Sequence, residues 1–332
     1  MPTIKDVAKL AGVSIATVSN VLSGGRYVSP QLRGTVLSAV RALGYMPNGV
    51  AQSLRSRRTQ TLGLIVPDIT NPFFSGLVKA IERTARTRGY QVLLSSSEEN
   101  PDLELGLTLS LASRQVDGLI VIPTQDSPEY LRQLGLPVVL LDRIGGQDGF
   151  DRVGVDNIGA ARQGTEFLLS QGHRRILLLA STLELSNIRE RVEGYRQALQ
   201  GAHLEYDPQL VVACGREATS IKVALEAVQK HCPSALFAAT NRLSLVAVQA
   251  IRELGLGFPR EISLLGFDDF EWSTLLEPYL STVVQPLEAL GAAACELLLE
   301  RLAEPLRPPQ RVLLPCDLAV RQSVAQQKEV SV

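Results

Sequence analysis

The stretch that decides the fold is TIKDVAKLAGVSIATVSNVL, residues 3–22. Its apolar residues recur at helical spacing in two short blocks. These blocks are Ile4, Val7, Ala8 and Ala11, followed by Val18, Val21 and Leu22. Between them, Gly12 can adopt a left-handed turn, and Ser14 can cap the helix that follows. The stretch therefore predicts two short helices joined by a tight turn, which is a helix-turn-helix in outline.

A third helix is predicted directly after this pair. Ser29 precedes Pro30, and a capping serine followed by proline at the first helical position marks a helix start. An apolar face follows at helical spacing. It consists of Leu32, Val36, Val40 and Leu43. Residues 1–46 are therefore expected to form a three-helix head.

Charge is distributed unevenly along the 332 residues. The first 58 residues hold eight Lys or Arg and one acid, a net charge of +7, whereas the rest hold 25 basic and 33 acidic residues, a net charge of −8. A basic head on an acidic body suggests an anionic partner for the head alone, with nucleic acid first and a membrane surface second.

The second helix of the head would present an uncharged outer face. Its exposed residues would be Ile15, Ala16, Thr17, Ser19 and Asn20. Short side chains of this kind suit a major groove, where they reach base edges while cations elsewhere hold phosphates. The alternative is a plain helical hairpin whose polar face meets water, with Ile15 packed against the third helix. Pattern and charge together favour DNA binding.

Other sequence features argue against several classes of protein. The four cysteines, Cys214, Cys232, Cys295 and Cys316, lack paired metal-ligand spacing, and the three histidines lie far apart. The N-terminus lacks the apolar run of a signal peptide, and no run of 18 apolar residues follows. We therefore expect reduced thiols, no metal, no cofactor, no membrane segment and a cytoplasmic location.

After residue 60, short apolar runs such as LGLIV at 62–66 alternate with amphipathic segments. Runs that are apolar throughout are typical of strands that helices cover on both faces. They predict parallel sheets with crossover helices, so the fold class is α/β behind a helical head. A dehydrogenase, a kinase and a binding protein all share this pattern. The dinucleotide and phosphate loops and the Gly-x-Ser-x-Gly elbow are absent, which disfavours an enzyme.

Polar and aromatic residues follow several predicted strands. Ligands of open α/β sheets bind beyond the carboxyl ends of strands, so we expect a small-molecule site there. Its candidate residues are Phe73, Phe74, Asp142, Arg191, Asn241 and Asp268. Carboxylate, amide and guanidinium groups can bind vicinal hydroxyls, and an aromatic ring can cover the apolar face of a sugar. The polar residues could instead be caps or turn residues and the phenylalanines core; Asp269 we interpret as structural.

The segments TIKDVAKLAGVSIATVSNVL and VSPQLRGTVLSAVRALGYMPNGVAQSLRS resemble the head of the lactose/galactose repressor (LacI/GalR) family, and the similarity continues to about Arg321. The resemblance implies a periplasmic-binding-protein-like core of two doubly wound α/β subdomains, with crossovers near Asp156, Val284 and Leu314. The implied boundaries are a head at 1–46, a hinge helix and linker at 47–59, a core at 60–323 and a polar tail at 324–332. Within the core, subdomain one would be about 60–156 and 286–313, and subdomain two about 157–284 and 314–323.

The resemblance also implies roles for single residues. Ile15, Ala16 and Asn20 match base-reading positions, whereas Thr17 and Ser19 match positions near the DNA backbone. The hinge would become helical on operator DNA, with Leu54 opening the central base step as an apolar wedge. The candidate DNA contacts are completed by Thr3, Ser14, Ser29, Asn48 as hinge cap, Ala51, Leu54 and Arg55. Asp142, Arg191, Asn241 and Asp268 match effector-contacting positions.

Two departures from the family pattern bear on the ligand. Arg242 stands where many relatives have aspartate, and Glu99 stands where some sugar-binding relatives have arginine. A cluster of Arg189, Arg191 and Arg242 would favour a sugar acid or a phosphorylated sugar, because guanidinium binds such anions bidentately.

The sequence thus predicts a DNA-binding transcriptional regulator, a repressor in most of the family, that binds a palindromic operator as a homodimer. A small-molecule effector, a sugar or sugar acid, would bind in the cleft. A purine or other metabolite acting as corepressor is the alternative effector, and a tetramer is the alternative assembly. Alternatives of another class are a solute-binding protein and a sugar-modifying enzyme.

Overall fold

The computed structural model describes residues 2–23, 27–46, 58–126, 128–146, 149–215 and 219–327. The chain forms two compact units, Met1–Thr59 and Gln60–Val332. Asn48, Ala51, Leu54 and Arg55 lie outside the described residues.

The first unit is a three-helix head. Its helices are α1 (Ile4–Ala11), α2 (Ile15–Ser23) and α3 (Pro30–Leu43). Gly12 ends α1 with a left-handed φ of 66°. Ser14 Oγ accepts a hydrogen bond from the N–H of Thr17 at 3.1 Å, and Ser29 Oγ accepts one from Leu32 at 3.4 Å. The two predicted helix starts are therefore confirmed.

The three helices of the head bury one common apolar cluster. Its fully buried members are Val7, Ala8, Val18, Val21, Val36 and Ala39. Leu32, which we expected on the buried face, is half-buried outside this cluster, whereas Leu37 packs against it. The prediction for Leu32 is wrong because the residue lies in the first turn of α3, where the helix has only begun to approach its neighbours.

The second unit contains two parallel-stranded sheets covered by helices. Its strands are β1 (Thr61–Val66), β2 (Gln91–Ser96), β3 (Gly118–Val121), β4 (Val138–Leu141), β5 (Asp151–Val155), β6 (Ile176–Ala180), β7 (Val211–Ala213), β8 (Ala235–Ala238), β9 (Ser263–Phe267), β10 (Ser281–Val284), β11 (Arg311–Leu314) and β12 (Asp317–Ala319). Its helices are α4 (Pro72–Thr87), α5 (Pro101–Ser113), α6 (Asn157–Ser170), α7 (Ser186–Gly201), α8 (Ser220–His231), α9 (Asn241–Glu253) and α10 (Leu287–Ala303). Short 3₁₀ turns occur at Glu129–Leu134, Pro208–Leu210 and Glu271–Thr274.

The two sheets have the same internal order. The first runs β11-β5-β4-β3-β1-β2 and is parallel throughout, and the second runs β12-β10-β9-β8-β6-β7, with only β12 antiparallel. The strands β3, β4, β6, β8 and β9 are buried along their whole length, as their apolar sequences predict. The edge strand β2 is different, because Leu93 and Leu94 are exposed.

The chain passes between the two sheets at three places. It leaves the first sheet after β5 at Asp156, returns after β10 through 285–286, and leaves it again between β11 and β12 at 315–316. Asp156 starts α6, since its carboxylate accepts a hydrogen bond from the N–H of Gly159 at 2.9 Å. Helix α6 packs with the second sheet and α10 with the first. The carboxyl ends of the strands of both halves therefore face a common cleft.

The described residues contain neither a membrane-spanning helix nor a cluster of metal ligands. No helix there is long and apolar enough to cross a membrane. No group of three or more His, Cys, Asp or Glu side chains in the same residues could hold a metal ion.

Candidate functional site

The outer face of α2 begins with two exposed, uncharged residues. Ile15 has 44% of its surface exposed and lies outside the buried cluster of the head, and Ala16 is also exposed. Thr17, Ser19 and Asn20 are half-buried along the same helix. Helix α2 therefore presents a small apolar tip followed by hydroxyl and amide groups, a surface that can enter a major groove.

Thr3, Ser14 and Ser29 mark the starts of the three head helices. Thr3 donates hydrogen bonds to the Asp6 carboxylate from its N–H at 2.8 Å and its hydroxyl at 2.7 Å. These bonds lower the pKa of Asp6. The hydroxyls of Ser14 and Ser29 cap α2 and α3. The N–H groups of helix starts attract phosphate, so these positions suit contacts to the DNA backbone.

The six effector candidates line a single cavity of about 570 Å³ in the cleft. Phe73 and Phe74 lie in the first turn of α4, and Asp142 follows β4. The opposite half contributes three residues. They are Arg191 in α7, Asn241 at the start of α9 and Asp268 directly after β9. The volume lies within the range of sites for small molecules.

Asp142 and Asp268 are buried carboxyls with neutral hydrogen-bond partners. Asp142 accepts a hydrogen bond from Asn187 Nδ2 at 3.2 Å, and Asp268 accepts one from Gln285 Nε2 at 2.6 Å. Burial raises the pKa of Asp142 and raises that of Asp268 to about 6, although the nearby Arg191 opposes both shifts. Neither residue caps a helix, but each lies in a bend directly after its strand with a left-handed φ. Both are therefore turn residues, as the alternative interpretation had it, and both also line the cavity.

Arg191 is fixed in place beneath the cavity. Its Nε donates to Asn157 Oδ1 at 2.9 Å, and its Nη1 donates to the carbonyl oxygen of Ala239 at 2.6 Å. The guanidinium carbon lies 3.6 Å from the centre of the Phe267 ring, a cation–π contact. Arg191 is therefore held by contacts within the protein alone.

Asn241 is the first residue of α9 rather than its cap. Thr240 caps this helix, since its hydroxyl accepts a hydrogen bond from the N–H of Leu243 at 3.3 Å. Asn241 Nδ2 is therefore available to donate to Asn71 Oδ1, at 2.7 Å, in the opposite half. Asn71 in turn caps α4, accepting from the N–H of Phe73 at 3.0 Å.

Phe73 and Phe74 belong to the core and the cavity wall at once. Both are buried, and their ring centres lie 5.2 Å apart in an edge-to-face arrangement. They are part of the apolar cluster of the first half and also line the cavity. Both interpretations of these residues therefore hold.

Several further residues of the cavity wall were not predicted from the sequence. Arg143 forms a bidentate ion pair with Glu99, at 2.6 and 2.7 Å, and donates to the carbonyl oxygen of Pro123 at 3.1 Å. Asn187 precedes Arg191 by four residues on α7, so helical spacing could have identified it. Gln285 directly follows β10, and the strand-end rule could have identified this residue as well.

The predicted cluster of three arginines is not present. Arg189 does not line the cavity, and its Nη2 pairs with Asp126 Oδ2 at 2.6 Å. Arg242 lies in the cavity wall, where its Nη1 is 3.5 Å from Asp68 Oδ2. Of the three, only Arg191 is buried in the cavity wall. The prediction was wrong because the sequence did not reveal the acidic partners, which come from the opposite half.

Polar contacts close the cleft on both sides. On one side lie the Asn241–Asn71 and Arg242–Asp68 contacts. On the other side, the N–H of Ser186 donates to Asp126 Oδ1 at 2.9 Å, and the N–H of Gly145 donates to Ser186 Oγ at 3.1 Å. A Cβ atom at Gly145 would lie 2.3 Å from the Cβ of Ser186, so only glycine permits this approach.

Comparison with known families gives two matches along the chain. Residues 3–48 match the family described as bacterial regulatory proteins, lacI family. Residues 59–322 match periplasmic binding proteins and sugar binding domain of LacI family.

Individual proteins match over nearly the whole chain. Catabolite control protein A of Priestia megaterium is 36% identical, covering 97% of this chain and 98% of its own length. The ribose operon repressor of Escherichia coli K12 is 32% identical, covering 97% of this chain and 100% of its own length.

Solved structures match both units. The complex of the transcriptional regulator CelR with cellobiose has a TM-score of 0.74 at 33% identity, covering 97% of this chain and 100% of that one. The lac repressor dimer bound to operator and the anti-inducer ONPF has a TM-score of 0.84 at 27% identity, covering 98% and 99%.

Proposed function

We propose how this chain acts from the premise that it belongs to the LacI family of bacterial regulatory proteins. It is a DNA-binding transcriptional regulator of a family of repressors, and it binds operator DNA as a dimer. A small-molecule effector in the cleft of the core controls it. The relatives are regulators, and the chain accordingly is not an enzyme.

One observation carries the proposal for effector control: the six candidate residues come from both halves of the core and line one cavity. A ligand that contacts Asp142 on one side and Asp268 on the other binds the closed arrangement more tightly than an open one. Its binding energy therefore shifts the equilibrium between the two arrangements. We infer that this shift changes the order of residues 47–59, and with it the affinity for operator.

For DNA reading we propose that α2 enters the major groove. Ile15 and Ala16 would contact a thymine methyl group, and Asn20 would pair with adenine, which is the base that asparagine prefers. The exposure of Ile15 supports this assignment. Leu54 would enter the minor groove, with Arg55 near the phosphates, as the family resemblance implies.

The edge of the first sheet offers a surface for the second subunit. Apolar side chains are exposed on β2 and on the neighbouring helix α5. They are Leu93, Leu94, Leu103, Leu105 and Leu109. An apolar patch of this kind on a two-fold assembly is buried between identical subunits.

We keep the domain boundaries as a proposal: a head at 1–46, a hinge at 47–59, a core at 60–323 and a tail at 324–332. We also propose that the protein acts in the cytoplasm, where its DNA target is found. The two separate sheets and the three chain crossings between them support the division of the core into two halves.

The decisive experiment is a gel-shift titration with duplexes from the region upstream of the protein's own gene, and with scrambled duplexes of equal length. We expect retention of one upstream duplex at protein concentrations at least tenfold below those needed for the scrambled ones. If no duplex is retained even at low salt, the regulator function is wrong.

Effector control has a separate test. Metabolites, purines among them, are first screened for those that raise the melting temperature of the protein. Each ligand found in this way is then added to the gel-shift titration. Asp268→Ala is expected to bind operator like the wild type and to lose the response to such a ligand. A normal response in this variant would remove Asp268 from the proposed site.

A further inference from the structure

The charged groups of the cavity wall do not balance. Its acids are Asp68, Glu98, Glu99, Asp142 and Asp268, and its arginines are Arg143, Arg191 and Arg242. Two arginines are already neutralised, since Arg143 pairs with Glu99 and Arg242 with Asp68. Three carboxyls, those of Glu98, Asp142 and Asp268, then share the remaining guanidinium.

That guanidinium does not neutralise the two buried carboxyls directly. Arg191 directs Nε and Nη1 to neutral carbonyl oxygens and stacks on Phe267. Asp142 and Asp268 accept their hydrogen bonds from neutral amides, and neither forms an ion pair within the described part of the chain. Buried carboxylates are stable when paired with a cation. The cavity therefore has room for one more positive charge.

Gln285 provides an independent sign of a missing hydrogen-bond donor. The residue is 6% exposed and lines the cavity, and its Nε2 is used by Asp268 at 2.6 Å. Its Oε1 is buried and has no hydrogen-bond partner within the described residues. A buried carbonyl oxygen without a donor is costly, and a ligand donor at this position would remove the cost.

We propose that the effector carries an ammonium group, as an amino sugar does, and that this group binds at Asp142, Asp268 and Gln285 Oε1. An ammonium has three N–H donors, which matches two carboxylates and one carbonyl oxygen. The hydroxyl groups of the same ligand would face Asn187 and Asn241. The inference rests on the proposed function only in using the same cleft as the effector site.

The same charge balance disfavours anionic ligands. A sugar acid or phosphorylated sugar would bring a further negative charge beside Asp142 and Asp268. Arg143 and Arg242 are already paired with acids. Arg191 donates two hydrogen bonds to carbonyl oxygens of the protein. The sugar acid that we expected from the sequence is therefore replaced by a cationic sugar.

The test is a set of matched ligands measured by isothermal titration calorimetry at pH 7. The probes are glucose, glucosamine and glucuronate, with the corresponding galactose and mannose series. We expect at least one amino sugar to bind tenfold or more tightly than its neutral parent, and the acids not to bind. The proposal is overturned if no amino sugar binds, or if the neutral parent binds as well as the amine in each pair.

Variants test where the ammonium binds. Asp142→Asn and Asp268→Asn are each expected to reduce affinity for the amino sugar at least tenfold and affinity for the neutral parent less than threefold. Glu205→Gln, an exposed acid outside the cavity, serves as the matched control and is expected to bind like the wild type. Equal losses for amine and parent in both Asp variants would refute the assignment.

A measurement on the unchanged protein covers the case in which a variant does not fold. The amino sugar is titrated into the protein at pH 6, in two buffers of different ionisation enthalpy. We expect proton release, because the ammonium group displaces protons from the Asp142 and Asp268 carboxyls, whose pKa values are raised. Absence of proton release would count against the proposal. Operator binding by the same preparation without ligand is scored separately, so failure of the regulator function is distinguishable from failure of this inference.

Discussion

Asp142 and Asp268 occupy equivalent positions in the two halves of the core. Each directly follows its strand, β4 or β9, with a left-handed φ of 63° or 72°. Each donates its N–H to a carbonyl oxygen of the next strand, to Val153 at 2.9 Å and to Val283 at 2.8 Å. Left-handed backbone costs a non-glycine residue about 1 kcal/mol. The cost is repeated at both positions, where it directs a carboxyl from each half toward one cavity.

The first prediction concerns the dependence of stability on pH. Asp268 has a pKa of about 6 in the folded protein, against 3.8 for an ordinary aspartate. The folded state binds the proton of Asp268 more tightly than the unfolded state does. The contribution of this proton to the free energy of unfolding is therefore fully present below pH 3.8 and is lost as the pH rises through 6. Asp268→Asn is therefore expected to be more stable than wild type at pH 7.5, by roughly 3 kcal/mol at about 1.4 kcal/mol per pKa unit.

Urea unfolding at pH 4 and pH 7.5 measures this effect. The gain should nearly vanish at pH 4, where Asp268 is largely protonated in the folded wild type. A gain that is equal at both pH values would contradict the assignment of the raised pKa to Asp268.

The second prediction concerns a buried ionic network. The carboxylate of Asp151 accepts from Arg301 Nε at 2.8 Å and Nη2 at 3.1 Å, and from the N–H of Gln310 at 2.8 Å. It thereby joins β5 to α10 and to the segment before β11. Asp151→Ala leaves the Arg301 guanidinium, which is 12% exposed, without its carboxylate partner. The variant is expected to lower the free energy of unfolding by about 3 kcal/mol, the lower end for a broken buried pair, because backbone carbonyl oxygens still accept from Arg301.

The matched control is the exposed Arg83–Glu288 pair, which joins α4 to α10. Glu288→Gln is expected to change the free energy of unfolding by less than about 1 kcal/mol, because water screens an exposed pair. Urea denaturation of both variants measures the difference. Equal losses in the two variants would show that burial does not set the strength of these pairs.

The third prediction concerns Leu54. If this side chain opens a base step, Leu54→Ala should weaken specific operator binding by roughly 2 kcal/mol, the scale of one unstacked step, and reduce the bend of the DNA. Ser53→Ala is the neighbouring control. Fluorescence anisotropy gives the affinity, gel mobility gives the bend, and circular dichroism confirms that the head still folds. Unchanged affinity and bend would rule out the wedge.

The fourth prediction concerns salt. Contacts between the cations of the head and the DNA phosphates make operator affinity fall steeply with salt concentration. Arg55→Gln is expected to reduce the slope of log K against log salt by about 1, whereas Arg83→Gln in the core should leave the slope unchanged. Anisotropy titrations at several salt concentrations measure both slopes. A flat wild-type profile would refute the phosphate contacts.

The sequence was sufficient for features that depend on neighbouring residues. The caps at Ser14 and Ser29 follow from adjacent N–H groups, and both were predicted correctly. The six cleft candidates were found because parallel strands bring their carboxyl ends to one edge. That geometric rule needs only the order of strands and helices along the chain.

Features that depend on distant partners could not be predicted. Arg189 was wrongly assigned to the ligand. Its partner, Asp126, lies 63 residues away in the other half, so the ion pair is not apparent from the sequence. Leu93 and Leu94 are exposed because β2 lies at the edge of the first sheet. Its only neighbouring strand is β1, and this edge position depends on the strand order.

The contact between Gly145 and Ser186 makes closure of the cleft depend on the space of a single methyl group. The methyl carbon of an alanine at position 145 would lie 2.3 Å from Ser186 Cβ, so we expect Gly145→Ala to hold the two halves of the core apart at this edge of the cleft. We expect such a variant to bind its ligand more weakly, because Asp142 and Asp268 reach the cavity from opposite halves of the core. The absence of a side chain at Gly145 is thus what allows the two halves of the core to meet at this edge of the cleft.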